Sequence, residues 1–120
     1  MNCELTTSNV IFENNSNNDY AGAVFAYRSN YCSYNDKFID NYAPHGAAVY
    51  SENSIVYVDN SIFMSENPIR WSLIKGFTCD ITVLNSIFAN TTSRYATAVY
   101  NTDGKTIVKN TKFRNLYANA

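Results

Sequence analysis

An Asn-x-x-Phe element recurs five times along the 120-residue chain, at Asn9/Phe12, Asn35/Phe38, Asn60/Phe63, Asn85/Phe88 and Asn110/Phe113. The phenylalanines are spaced by 26, 25, 25 and 25 residues. A fixed period of this length makes each copy one supersecondary unit, which buries its apolar face only by stacking on its neighbours. Two further elements keep the same phase. One is Gly22-Ala23-Val24-Phe25, Ala47-Ala48-Val49-Tyr50, Ser72-Leu73-Ile74-Lys75 and Thr97-Ala98-Val99-Tyr100. The other is a β-branched run ahead of each Asn: Ile55-Val56-Tyr57-Val58, Ile81-Thr82-Val83-Leu84 and Thr106-Ile107-Val108-Lys109.

Each repeat thus offers three strands of four to six residues separated by turns. That is too short for helical solenoids, whose repeats are longer and carry a 3.6-residue periodicity. Composition agrees: Val, Ile, Thr, Tyr and Phe suit a pleated surface, while the 18 Asn residues suit turns because Asn tolerates the left-handed region. The expected fold is all-β, a parallel β-helix of about five 25-residue coils forming one repeat domain over residues 1–120. Equivalent residues of successive coils then lie about 4.8 Å apart. The Phe column becomes an internal aromatic stack, and the Asn column becomes a buried amide ladder at a turn, each side chain bonded to the next. By alternation, Leu5, Thr7, Tyr31, Ser33, Val56, Val58, Ile81, Val83, Thr106 and Val108 point inward, as do Val24, Val49, Ile74 and Val99. Phe25, Tyr50, Lys75 and Tyr100 form an outward column.

The pairing of a Gly-Gly-Ala-Ile-like element with a Phe-x-x-Asn element resembles the repeat of the chlamydial polymorphic outer membrane proteins and of adhesin-like surface proteins of other microbes. The first element is present as Gly22-Ala23-Val24, Ala47-Ala48-Val49 and Ala96-Thr97-Ala98-Val99. The second is present as Phe12-Glu13-Asn14-Asn15 and Phe38-Ile39-Asp40-Asn41. The later copies depart from it, with Asn two residues after Phe88 and Phe113 and four after Phe63. The resemblance implies a right-handed parallel β-helix displayed outside the cell and used in adhesion, and it implies no catalytic residue.

The ionisable residues give little chemistry. A formal net charge of −1 with scattered Lys and Arg provides no field for nucleic acid. No stretch approaches 18 apolar residues, so no membrane span is expected. The opening Met1-Asn2-Cys3-Glu4-Leu5 has no secretion signal, and with the repeat running from Asn9 to Asn115 the chain is expected to be a fragment of a longer surface protein. His45, in Tyr42-Ala43-Pro44-His45-Gly46, reads as a solvated turn residue. Cys3 and Cys79 share a phase but sit about 14 Å apart by strand spacing, and Cys32 is three residues out of phase with Cys3, so free thiols are expected. Asp36, Asp40, Glu52, Asp59, Glu66, Asp80 and Asp103 share no column, which gives neither the paired carboxylates of glycoside hydrolysis nor a Ca²⁺ cage. No catalytic residue, cofactor or metal ligand is therefore assigned.

The exposed aromatics remain. Phe25, Tyr50, Trp71 and Tyr100 are the candidate binding face, suited to sugar rings or a partner protein, although aromatics on adjacent strands also stack to stabilise a sheet. The function expected is a non-enzymatic, extracellular adhesin-like module whose partner is a carbohydrate or protein of a host or neighbouring cell surface. The alternative is a fragment of a carbohydrate-active, pectate-lyase-like β-helix enzyme. That alternative needs a cleft-forming insertion, and Ser65-Glu66-Asn67-Pro68-Ile69-Arg70-Trp71 is irregular in composition but not in length.

Overall fold

The computed structural model describes residues 2–118, and throughout them the chain is strand and turn without a helix. Three parallel sheets run along one axis. The first contains β1 (Leu5–Ser8), β4 (Asn30–Tyr34), β7 (Ile55–Asp59), β10 (Asp80–Leu84) and β13 (Lys105–Lys109), in that order. The second contains β2 (Ile11–Glu13), β5 (Lys37–Ile39), β8 (Ile62–Met64), β11 (Ile87–Ser93) and β14 (Lys112–Ala118). The third contains β3 (Val24–Tyr27), β6 (Gly46–Glu52), β9 (Ser72–Phe77) and β12 (Val99–Thr102). Every third strand pairs, which makes the molecule a parallel β-solenoid of about five coils, elongated to 36 Å by 24 Å by 24 Å.

The phenylalanines are the spine. Phe12 pairs with Phe38, Phe38 with Phe63, Phe63 with Phe88 and Phe88 with Phe113. Their rings are near-parallel, with centroids 4.7, 4.5, 4.7 and 5.4 Å apart. The strand spacing sets this distance, and a ring that fits one coil fits the next. The inner three are buried, whereas Phe12 and Phe113 face the two ends of the stack. The inward assignments hold the same way. Tyr31, Ser33, Val56, Val58, Ile81, Val83, Val49 and Ile74 are buried, while Leu5, Thr106 and Val108, in the first and last of the described coils, are exposed.

The Asn column has a different cause from the one expected. Asn9, Asn35, Asn60, Asn85 and Asn110 are exposed, and each has a φ between 48° and 57°. Asn is placed there because the corner requires the left-handed region, which its short polar side chain enters more readily than others. The amides bond coil to coil only in part. Asn60 donates to Asn35 Oδ1 and Asn110 to Asn85 Oδ1, both at 2.6 Å, but Asn85 turns to Asp59 Oδ1 at 3.0 Å instead of Asn60. The same device builds the other corners, at Asn14, Asp40, Asn90 and Asn115 and at Arg28, Asn53, Thr78 and Asp103.

The buried ladder lies one residue further on. The Asp36 carboxylate accepts from Val10 N–H, Ser61 Oγ from Asp36 N–H, Ser86 Oγ from Ser61 N–H, and Thr111 Oγ1 from Ser86 N–H. The hydroxyls of Ser61, Ser86 and Thr111 in turn donate to the carbonyl two residues earlier. These corner amides point away from any strand, and a buried amide left without a partner costs about 1–3 kcal/mol. Asp36 also accepts from the hydroxyls of Thr7 (2.5 Å) and Ser33 (2.6 Å), so its carboxylate is fully engaged in closing the first corner.

The expectation of three free thiols is corrected. Cys3 and Cys32 form a disulfide, with Cα atoms 5.8 Å apart. Cys32 sits on β4 opposite Thr6, but Cys3 precedes β1, where the phase rule that separated them no longer binds the chain. Cys79 is free and buried, its thiol donating to Ser51 Oγ and Phe77 O. Asn101 clamps the last corner: its Nδ2 donates to Cys79 O, Lys105 O and Thr106 Oγ1.

Candidate functional site: an outward aromatic face

The third sheet positions the face. Alternation in β3, β6, β9 and β12 turns Val24, Val49, Ile74 and Val99 to the core and Phe25, Tyr50, Lys75 and Tyr100 outward, in one register column. A second column runs beside it along the preceding corner. Ala21 bridges Gly46, and Gly46 pairs with Ser72; further along, Ile69 bridges Ser93 and Ala96 N–H donates to Trp71 O. Tyr20, His45, Trp71 and Tyr95 are consequently stacked in successive coils. Their spacings are 25, 26 and 24 residues. The third coil takes one extra residue between Phe63 and Trp71 and gives it back before Ile74, where the β6–β9 register shifts between Gly46 and Val49. Tyr20, His45 and Tyr95 keep the 25-residue period, but the in-phase position of the third coil is Arg70, so Trp71, one residue late, looks solitary in the sequence.

The two columns interlock differently at their two ends. Tyr20 stacks on His45 with ring centroids 5.2 Å apart, and lies 5.6 Å from Phe25 and 5.0 Å from Tyr50. Under this cover Tyr50 is only 7% exposed, although its column faces outward. Burial, reinforced by the Glu52 carboxylate, pushes its hydroxyl pKa up to about 12. Tyr50 thus packs the face from beneath and offers little surface to a partner. At the other end Trp71 lies 4.6 Å from Tyr95 and 5.2 Å from Tyr100, and the latter two are 40% and 37% exposed. Phe25, at 46%, and Tyr20 complete the exposed rings.

Lys75 joins the two halves. Its Nζ is 4.1 Å from the Trp71 ring centroid and 5.7 Å from that of Tyr100, within the range of cation–π attraction. It also lies 2.9 Å from His45 Nδ1, to which it donates. His45 is accordingly a half-buried member of the aromatic column and not the solvated turn residue expected. Burial lowers its pKa from the usual value, and Lys75 and Arg70 lower it further. The ring stays neutral at neutral pH, as a nitrogen that accepts from an ammonium must. Lys75 is itself lowered, first by burial and then by Arg70.

Arg70 and Arg94 flank this group in equivalent positions of adjacent coils, each one residue before a ring of the second column. With Tyr42, Pro68 and Ile69 they line a depression of about 350 Å³ at the corner. Among the described residues no group of three or more His, Cys, Asp or Glu side chains is placed to hold a metal ion, and there is no helix long and apolar enough to cross a membrane. The arrangement can stack flat rings and attract negative charge. Comparison of the chain with protein-family models, with curated proteins and with solved structures finds no match, so what the site does rests on its own geometry.

Proposed function

We propose that the chain is a non-catalytic binding module of adhesin type, displayed at the cell surface, which holds a carbohydrate or protein of an opposing surface on its outward aromatic face. The observation that carries this reading is the pair of parallel columns, with Tyr20, His45, Trp71 and Tyr95 beside Phe25, Tyr50, Lys75 and Tyr100, continuous across four coils. Sheet stability alone accounts for the covered half, where Tyr50 is the buried member. It does not account for Tyr95 and Tyr100, which both pack on Trp71 and still stay exposed to solvent. Large rigid rings with a polar handle are the side chains that dominate recognition surfaces. The Cys3–Cys32 disulfide supports display outside the cell, since such bridges persist in oxidising compartments.

Stacking contacts are individually weak, so one chain binding one sugar or peptide unit has modest affinity, and many copies on a surface supply the avidity. Beads densely coated with the chain are expected to adhere to cell monolayers. A Trp71→Ser, Tyr100→Ser variant, folded by circular dichroism, is expected to lose most of that adhesion. Tyr50 is left intact because removing a buried ring would test packing instead of contact. Adhesion unchanged in the variant would move the binding surface off this face, and turnover of a polysaccharide by the purified chain would overturn the non-catalytic reading.

A further inference from the structure

The exposed half of the face carries a charge pattern that ring stacking does not require. Arg70, Lys75 and Arg94 converge on it, in a chain whose formal net charge is −1. The guanidinium of Arg94 lies 5.4 Å from the Tyr95 ring, and Lys75 is held over Trp71. No Lys or Arg among the described residues forms an ion pair. The charged groups that act on His45 are Lys75 and Arg70, and the one that acts on Lys75 is Arg70; no carboxylate is among them. A partly buried ammonium beside a second cation and without a counter-charge is costly. The fold nevertheless sets the two arginines in register in adjacent coils, about 4.8 Å apart by strand spacing.

We propose that Arg70, Lys75 and Arg94, with the Trp71, Tyr95 and Tyr100 rings, form a subsite for an acidic saccharide, whose sugar ring packs on the exposed Tyr95 and Tyr100 rings that Trp71 holds together while its carboxylate or sulfate is held by the cations. This rests on the reading of the face as a binding surface and names the class of ligand it takes. A guanidinium matches the two-oxygen edge of a carboxylate or sulfate and donates paired hydrogen bonds to it. The depression between Arg70, Arg94 and Tyr42 leaves room for the acidic group at the edge of the ring platform. Neutral His45 keeps Lys75 aimed at Trp71 by accepting one of its hydrogens. Carboxylate and sulfate share this chemistry, and the choice of probes separates them.

The test is binding of the whole chain, presented multivalently, to surfaces bearing oligogalacturonate (carboxylate only), heparin oligosaccharide (sulfate and carboxylate) or cello-oligosaccharide of matched length (neutral). At least one acidic surface is expected to bind, with affinity falling as salt is raised. An Arg70→Gln, Arg94→Gln variant is expected to lose at least about tenfold, and Arg70→Lys, which keeps charge but not the fork, to lose less. Equal binding of neutral and acidic sugars, abolished by Trp71→Ala but untouched by the arginine variants, would overturn the acidic assignment and leave the face as the binding surface. Acidic binding unchanged in both the arginine and the Trp71 variants would overturn the subsite and place the ligand elsewhere. Absence of binding to all three surfaces, with adhesion of the coated beads also insensitive to Trp71, would overturn the subsite and the reading it rests on together.

Discussion

Replacing Phe63 by alanine is expected to lower the unfolding free energy by about 3–5 kcal/mol, the usual cost of removing a buried aromatic ring. Phe63 is fully buried and sandwiched 4.5 Å from Phe38 and 4.7 Å from Phe88, so its loss removes two ring contacts and leaves a hole that flanking coils cannot close without breaking register. Small domains have only about 5–15 kcal/mol of stability in all. Phe113→Ala is the internal control: its ring stacks on one side only and is 48% exposed, and its loss should cost clearly less. Urea titration of the two variants checks this. Equal, small losses at both positions would mean that the column does not carry the core.

Breaking the Cys3–Cys32 bridge has the second largest expected effect. The bridge joins residues 29 apart and fastens the segment ahead of β1 to the second coil. Loop closure of that length is worth about 3–4 kcal/mol when the unfolded state is fully open. The loss should be felt locally, because the first coil is covered on one side only, with Leu5 and Ile11 exposed. A Cys3→Ser, Cys32→Ser variant is therefore expected to exchange its amide hydrogens in β1 and β2 much faster than the parent, while those of β7 and β10 in the middle of the stack change little. Uniform acceleration along the whole chain would show that the coils do not open one by one, and no change at all would show that the bridge holds nothing in place.

What the sequence made legible follows from where side chains repeat at constant spacing. Phe12 to Phe113 and the Val24 to Val99 column could be read directly, since each is a strand position whose neighbours along the axis must be alike. Asn9 to Asn110 were located correctly but explained only in part, since two of the amide links form while the column is exposed rather than buried. Identity at a corner reflects backbone conformation as readily as side-chain bonding, and only the φ values separate the two. The ladder at Asp36, Ser61, Ser86 and Thr111 is visible afterwards as a small polar residue following Asn35, Asn60, Asn85 and Asn110, a signal hidden by its change of identity from coil to coil and by Val10 after Asn9. The column of Tyr20, His45, Trp71 and Tyr95 escaped because a compensating one-residue shift moves Trp71 off the phase that the other three keep, and puts Arg70 there instead. Cys3 lies outside the strands, so repeat phase says nothing about its reach.

The spine and the face both depend on coils stacking in register, since that alone brings scattered aromatics together. Through-space nuclear Overhauser contacts between side-chain protons test it most directly. The Phe63 ring should contact Phe38 and Phe88 but neither Phe12 nor Phe113, and the Trp71 ring should contact both Tyr95 and Tyr100. A Phe63 ring found against residues of its own repeat only, or a Trp71 ring without a tyrosine neighbour, would contradict it.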